Sequence, residues 1–213
     1  MTTDLSLSIF TIVILIFSVI MHEVAHGYAA YMLGDPTAKL QGRLTLNPIA
    51  HIDLFGSIIV PAILILSGAG ILFGWAKPVP YNPQNLRNQR WGEAIVGAAG
   101  VLTNLLLAVL FALIAREAFS SGFALFGTLA ASVVFVNLSL GLFNLIPIPP
   151  LDGYTVFRGI LPVRFSLAFR DIEERIYGNS IFVRFAILIA FVYFLSTPFY
   201  LFIEWIFHLL VGA

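Results

Sequence analysis

The chain has 213 residues, 60% of them apolar and only 10% charged, with a mean hydropathy of +0.98. A soluble domain is about a quarter charged, and a globule of this size cannot hide so much apolar surface, so the composition predicts a polytopic membrane protein. Eleven basic residues balance eleven acidic ones, and there is no cysteine. The balance excludes the basic footprint of a nucleic-acid binder, and the missing thiols exclude disulfides and thiolate metal sites.

The first apolar run covers residues 5–33 and is interrupted only by the string HEVAH. It lacks a basic start and carries His22, Glu23 and His26 where a cleavage site needs small residues, so it reads as a membrane helix and not as a cleaved signal peptide. A second run, residues 54–73, is dotted with Pro61, Gly68 and Gly70. Residues 94–115 and 122–146 are the third and fourth. The fifth, residues 181–211, is split by Ser196-Thr197-Pro198 and reads as a short hairpin or as one kinked span. At about 20 residues per helical span, this predicts an all-α polytopic membrane protein of about 4–6 transmembrane or re-entrant helices. It is expected to form a single domain over residues 1–213, with its C-terminal helices in 180–211.

Two connections do not read as helix. Residues 39–53 (KLQGRLTLNPIAHID) alternate Leu40, Gly42, Leu44 and Leu46, which suits a short strand or hairpin. Residues 76–83 (AKPVPYNP) are proline-spaced and therefore extended. A small extended or β element is thus expected on the cytoplasmic side.

Charge sets the orientation. The connections 34–53, 74–92 and 151–179 hold Lys39 and Arg43; Lys77, Arg87 and Arg90; and Arg158, Arg164, Arg170 and Arg175. The 116–121 turn has Arg116 beside Glu117, and the N-terminus has Asp4 and no basic residue. Positive loops stay in the cytoplasm, which puts the N-terminus outside. If 54–73 crossed fully, the basic 74–92 connection would lie outside. A re-entrant 54–73 satisfies all three loops, provided protein or a cavity covers its broken backbone; the alternative is an ordinary span in a chain that violates the charge rule.

His22-Glu23-Val24-Ala25-His26 is the sharpest chemical signal. Histidines at i and i+4 share one helical face and can fill two positions of a tetrahedral Zn²⁺. Glu23, one residue on, is placed to act as base toward a water at that metal. Ionisable groups inside an apolar span are expensive and usually functional, whereas the bland reading is polar residues at a helix end. Leu5 to His22 is about 25 Å of helix, against a hydrocarbon core of about 30 Å. The metal is therefore expected inside the membrane near the cytoplasmic face, in a pocket that admits water.

A hydrolytic zinc keeps three protein ligands and one open position. Candidates for the third ligand are His51, Asp53, Asp152, Glu204 and His208. Asp152 is the best placed, because it ends Asn144-Leu145-Ile146-Pro147-Ile148-Pro149-Pro150-Leu151 just past a span, where prolines prevent a regular helix. Taken alone, Pro-Pro-Leu-Asp-Gly is a simple turn.

HEVAH in one span and NLIPIPPLDG at the end of a later one resemble the HExxH and NxxPxPxLDG motifs of the site-2 protease family of intramembrane zinc metalloproteases. GWAKPVPYNP resembles a further motif of its compact bacterial members, and the likeness runs from about residue 21 to 159. The resemblance implies one zinc held by His22, His26 and Asp152, Glu23 as catalytic base, and a transmembrane protein substrate cut within or near the bilayer of the bacterial inner membrane. One departure is Ala99-Gly100-Val101-Leu102-Thr103-Asn104, where the family often has proline after the glycine; Asn104 is kept.

Weaker candidates follow. The resemblance suggests that Asn144 bonds substrate backbone or a developing oxyanion, against a plain role as cap or inter-helix glue. His51 is an accessory group near the metal or a loop histidine satisfied by backbone. Gly97 and Gly100 most simply let helices approach. Glu204 and His208, one turn apart, are expected to pair with each other and to have no catalytic role. The 20 phenylalanines are packing and lipid-facing material. Two rival functions stand beside the protease. A zinc-binding membrane protein without proteolytic activity would need the ligands but not Glu23. A metal-ion transporter would need ionisable groups at several depths, which 94–115 and 122–146 largely lack. Expected partners are the substrate span, the lipid bilayer, and a regulatory partner or second copy of the chain; no nucleic acid is expected.

Overall fold

The computed structural model describes residues 2–66, 75–177 and 181–212. In chain order these form α1 (Thr2–Met32), α2 (Thr37–Leu40), a 3-10 turn (Pro48–His51), a wide π-type turn (Leu54–Ile59) and α3 (Val60–Leu66). A second 3-10 turn (Pro83–Asn85) then leads to α4 (Gly92–Ser120), α5 (Ala124–Asn144), α6 (Asp152–Ile160), α7 (Val163–Tyr177) and α8 (Ile181–Val211). Four stretches are long and apolar enough to cross a bilayer: Leu5–Met32, Gly92–Ser120, Ala124–Asn144 and Phe194–Val211. The protein is an all-α polytopic membrane protein, as its composition predicts.

Helices α4 and α5 are antiparallel, turned by Gly122 at φ +82°. Their seam is built from small residues. Ala108, Ala112 and Ala115 of α4 meet Ala130, Val134 and Leu138 of α5, with Ile203 and Val211 of α8. A Cβ on Gly127 would sit 2.6 Å from the Phe119 ring, and one on Gly141 2.9 Å from Leu105. In lipid the tails are as apolar as the helices, so association rests on such close approach rather than on burying apolar area. The large apolar side chains point the other way, with Leu106, Leu110, Leu113, Trp205 and Leu209 exposed on the outer surface.

Helix α1 runs antiparallel to α4 in steps of four: His26 lies opposite Val96, His22 opposite Gly100, and Ser18 opposite Asn104. The C-terminal end of α1, the N-terminal end of α4 and the C-terminal end of α5 therefore share one level of the bundle. At the other level, Arg116 donates to Leu210 O (2.6 Å) and Leu209 O (2.5 Å), satisfying the last carbonyls of α8. The final stretch is one continuous helix with Pro198 inside it, not a hairpin.

The segment after Leu54 returns to the level it left. Trp75 N–H donates to Gly56 O (3.1 Å), and Ser57 Oγ donates to Trp75 O (2.9 Å). Gly56 permits this, since a Cβ there would lie 2.4 Å from the Trp75 indole. The part of the segment that includes Gly68, Gly70 and Phe73 lies outside the described residues.

One expectation needs correction. No strand forms at residues 39–53, nor elsewhere among the described residues. Local hydrogen bonds outweigh the leucine alternation there. Asp35 accepts from Thr37 as α2 begins, Gly42 turns at φ +65°, and Asn47 caps the Pro48–His51 turn by accepting from Ile49 N–H at 3.1 Å. Leu40 and Leu46 end up exposed while Leu44 packs toward Gly27, so the leucines share no face. The polar 151–179 connection holds two helices, α6 and α7. Helix α6 docks on α4 through the Glu93–Arg158 ion pair, and α7 docks on α6 through Tyr154 Oη to Phe169 O (3.1 Å) and an edge-to-face Phe157–Phe169 contact. Of the proline-spaced residues 76–83, 76–82 form no helix or strand, Asn82 is extended and Pro83 opens the second 3-10 turn.

Candidate metal centre

His22 and His26 lie one turn apart on α1, both buried, with their rings edge-on at 4.6 Å between centroids. Each ring is held by its Nδ1. His26 Nδ1 lies 2.7 Å from Val96 O, and His22 Nδ1 lies 2.6 Å from Asn104 Oδ1. A carbonyl can only accept, so His26 Nδ1 carries the proton. The Asn104 amide is oriented by its own neighbours: Nδ2 donates to Asn137 Oδ1 (2.9 Å) and toward Ser18 O (3.4 Å), while Asn137 Nδ2 donates to Val133 O (3.0 Å). That order of donors leaves Asn104 Oδ1 as the acceptor for His22 Nδ1–H. In the neutral rings both Nε2 atoms are then lone pairs.

Those two lone pairs converge on Asp152. Its Oδ2 lies 2.9 Å from His22 Nε2 and 3.3 Å from His26 Nε2, and the two Nε2 atoms are 3.0 Å apart. Asp152 is delivered by the 145–151 turns that follow α5, and it opens α6 with Leu151 in extended conformation before it. Gly153 is needed there, because a Cβ would fall 2.0 Å from Leu145 O. Gly100 makes room on the opposite side, where a Cβ would lie 2.5 Å from His26 Nε2 and 2.7 Å from His22 Cε1.

Three acceptor atoms within hydrogen-bond distance, with no proton to share, repel one another unless a cation lies among them. Asp152 Oδ2 is buried and has no hydrogen-bond partner among the described residues. The donor set of two imidazoles and one carboxylate, all three ligating atoms within 4.8 Å of one another, fits a zinc with one open position.

The remaining sequence candidates separate from this cluster. Glu23 is on the same turn of α1 but faces the extended segment, where its Oε2 accepts from Val79 N–H at 2.8 Å. His51 is buried and bonded to backbone: Nε2 donates to Thr45 O (2.8 Å), its carbonyl accepts from Lys77 N–H (2.9 Å), and Nδ1 has no partner among the described residues. Asn144 donates from Nδ2 to Leu140 O at 3.0 Å, just before the turn that brings in Asp152. Asp53 caps the π-type turn through Gly56 N–H (2.7 Å). Glu204 and His208 lie on α8, outside the ligating group. Sequence reading missed Asn137, which is fully buried and sets the orientation of Asn104. An amide in the middle of an apolar span was the available signal, since intramembrane polar groups are usually functional.

Fold and site together define a membrane protein with two imidazoles and one carboxylate that could hold a metal ion. The chain belongs to peptidase family M50, whose profile matches residues 10–131 and 120–191. It is 40% identical over 189 residues to "Putative zinc metalloprotease YwhC" of Bacillus subtilis, covering 84% of this chain and 80% of that protein. It is 32% identical over 139 residues to "Putative zinc metalloprotease Rip2" of Mycolicibacterium smegmatis, covering 65% of this chain and 52% of that protein. No solved structure matches the chain. The protein is accordingly a zinc metalloprotease, with Zn²⁺ as its cofactor.

Proposed function

We propose that the chain is an intramembrane endopeptidase that hydrolyses peptide bonds in membrane-spanning segments of other proteins. His22, His26 and Asp152 would hold one Zn²⁺ per chain, and Glu23 would be the general base. The observation that carries this reading is the convergence of His22 Nε2, His26 Nε2 and Asp152 Oδ2 where α1, α4 and the start of α6 meet, with both Nδ1 atoms already committed. When bound, zinc supplies a Lewis acid for the scissile carbonyl and lowers the pKa of a water at its open position.

The chain's own groups do the rest. Asn104 and Val96 O keep both imidazoles in the ligating tautomer. With Oε2 engaged by Val79 N–H, Glu23 has Oε1 left to take the proton of the attacking water and return it to the leaving amine. A helical substrate carbonyl is shielded and hydrogen-bonded, so the substrate must unwind locally before it is cut.

The positive-inside rule supports an orientation with the N-terminus outside and the site near the cytoplasmic face, as in a bacterial inner membrane, because the basic connections lie at the site's end of the bundle. The hydrogen-bonded ends of the segment after Leu54 support a re-entrant element there.

Purified wild type and Glu23→Gln, reconstituted with a model transmembrane peptide, test the reading. Cleavage by wild type, lost in Glu23→Gln with zinc content unchanged, is the expected result. Cleavage that survives Glu23→Gln, or a wild type that binds zinc and never cleaves, overturns it.

A further inference from the structure

We infer that the extended segment 75–82 orients Glu23 through the Val79 amide, and that Arg43 is the positioning residue that holds the segment there; this rests on the reading of Glu23 as general base.

The segment is tied down at intervals along its length. Beyond the Trp75 bonds to Gly56 and Ser57, Lys77 N–H donates to His51 O (2.9 Å), and Lys77 O accepts from Arg43 Nη2 (2.7 Å). Val79 N–H then donates to Glu23 Oε2 (2.8 Å), and Asn82 N–H donates to Asp35 Oδ2 (2.6 Å). Residues 78 and 80 are prolines, so Val79 is the one backbone donor between Lys77 and Tyr81. That donor points at the carboxylate one residue from a ligating histidine.

Two further observations show that the approach is built in. Val79 is buried against Gly27, on the turn of α1 that follows HEVAH, and a Cβ on Gly27 would lie 2.8 Å from Val79 Cγ1. A larger residue at 27 would crowd both Leu44, at 2.5 Å, and Val79. Arg43 is only 7% exposed and has no carboxylate partner among the described residues, and its Nε has no hydrogen-bond partner among them. Burying an unpaired guanidinium is costly. The bond it makes is a charge-assisted one to the carbonyl two residues before Val79.

A glutamate has three side-chain torsions, and a base works only when its free oxygen is held within reach of the proton it takes. Anchoring Oε2 to an amide fixes the carboxylate plane and leaves Oε1 for the chemistry. Loss of that anchor should therefore act on the chemical step and leave zinc in place.

The test uses the full zinc-loaded chain in detergent with a model transmembrane peptide, reading kcat, KM, zinc content and unfolding temperature together. Val79→Pro deletes the donor in a segment whose flanking prolines already hold it extended; Val79→Ala keeps it. Arg43→Ala removes the clamp; Arg43→Lys can still donate to the Lys77 carbonyl. Val79→Pro and Arg43→Ala are expected to lower kcat on the order of 10- to 100-fold, with KM and zinc content little changed. Val79→Ala should lose about tenfold less than Val79→Pro, and Arg43→Lys should recover part of the loss seen in Arg43→Ala. Wild-type kcat in Val79→Pro or Arg43→Ala overturns the inference, and so does a loss matched by zinc loss or unfolding. Glu23→Gln separates the two levels of the argument. If it is inactive while Val79→Pro is fully active, only the positioning role falls. If it is active, the general-base reading falls first.

Discussion

Asn137 reaches His22 through a single side chain. Asn104 bonds Asn137 Oδ1 with its Nδ2 and takes His22 Nδ1 on its Oδ1, so a residue on α5 fixes the ring of a residue on α1. Partners of this kind behind a metal-ligating histidine typically control affinity by about 10- to 100-fold. Asn104→Ala is expected to weaken zinc by that order while the helical content is kept. Asn137→Ala should act in the same direction but less, because the Ser18 carbonyl still helps to hold the Asn104 amide. Competition with a fluorescent zinc chelator measures both, and unchanged affinity in Asn104→Ala contradicts the tautomer argument.

The carboxylates near the site should differ sharply. Asp152→Ala removes one of three converging atoms and is expected to abolish stoichiometric zinc binding. Asp53→Ala deletes only a helix cap, and His51→Ala only a bond to Thr45 O, so both should keep zinc. Metal analysis of the purified variants decides the matter. Retention of zinc in Asp152→Ala together with its loss in His51→Ala would mean that the ligand set is wrong.

How far the sequence carries depends on the range of the interactions. His22 and His26 are readable because i, i+4 spacing on a helix fixes their common face. Asp152 is readable because prolines break the helix before it and charge parity returns that end of α5 to the same side. The Glu23–Val79 link joins residues 56 positions apart and depends on loop closure, which no local pattern reports. Asn137 gains a meaning only once α4 is packed against it. The strand expected at 39–53 fails because backbone hydrogen bonds to the Asp35 and Asn47 side chains act over two residues and override a weak alternation.

Asp35 gives a pH-dependent prediction. Burial acts to raise its pKa, but hydrogen bonds from the Thr37 hydroxyl, the Asn85 side chain and the Asn82 and Thr37 amides outweigh it and hold the carboxyl below its usual value. A depressed folded-state pKa means that this stabilisation is fully present above the unfolded value of about 4 and is lost as pH falls through the folded value. Asp35→Asn turns an amide donor toward donors and should destabilise by about 1–3 kcal/mol at pH 7. Thermal unfolding in detergent should show a gap between wild type and Asp35→Asn at pH 7 that narrows in acid below pH of about 4. A gap that widens in acid reverses the sign and rules out this account.

Orientation can be tested directly, since the chain has no cysteine of its own. Single cysteines at Gln41, Gln84 and Arg170, all exposed, are expected to react with an impermeant maleimide only from the cytoplasmic side. One at Ser120, on the opposite end of α4, should react only from outside. The informative position is 84, which follows the segment whose ends meet at Gly56 and Trp75. External labelling there would make that segment a full span and would move the basic 75–91 connection to the wrong side.

Gly97 and Gly100 sit one turn apart on α4 and face the same side, yet their substitutions should differ. A Cβ at position 97 meets Asp152 O, Thr155 and Val156 at 3.4 Å, which is ordinary contact. A Cβ at position 100 meets His26 Nε2 at 2.5 Å and Cε1 at 2.6 Å, and the ring cannot swing away while its Nδ1 is held by Val96 O. Gly97→Ala is therefore expected to keep its zinc, its fold and most of its activity. Gly100→Ala should displace one or both imidazoles and lower zinc affinity by at least about tenfold, in line with other disturbances of ligand orientation. Helix propensity pushes the other way, since alanine favours a helix over glycine by about 1 kcal/mol. A Gly100→Ala protein with a raised unfolding temperature and weakened zinc would thus show that this glycine serves the metal site and not the helix. Equal zinc affinity in the two variants would mean that the imidazoles do not occupy the space next to Gly100 when the metal is bound.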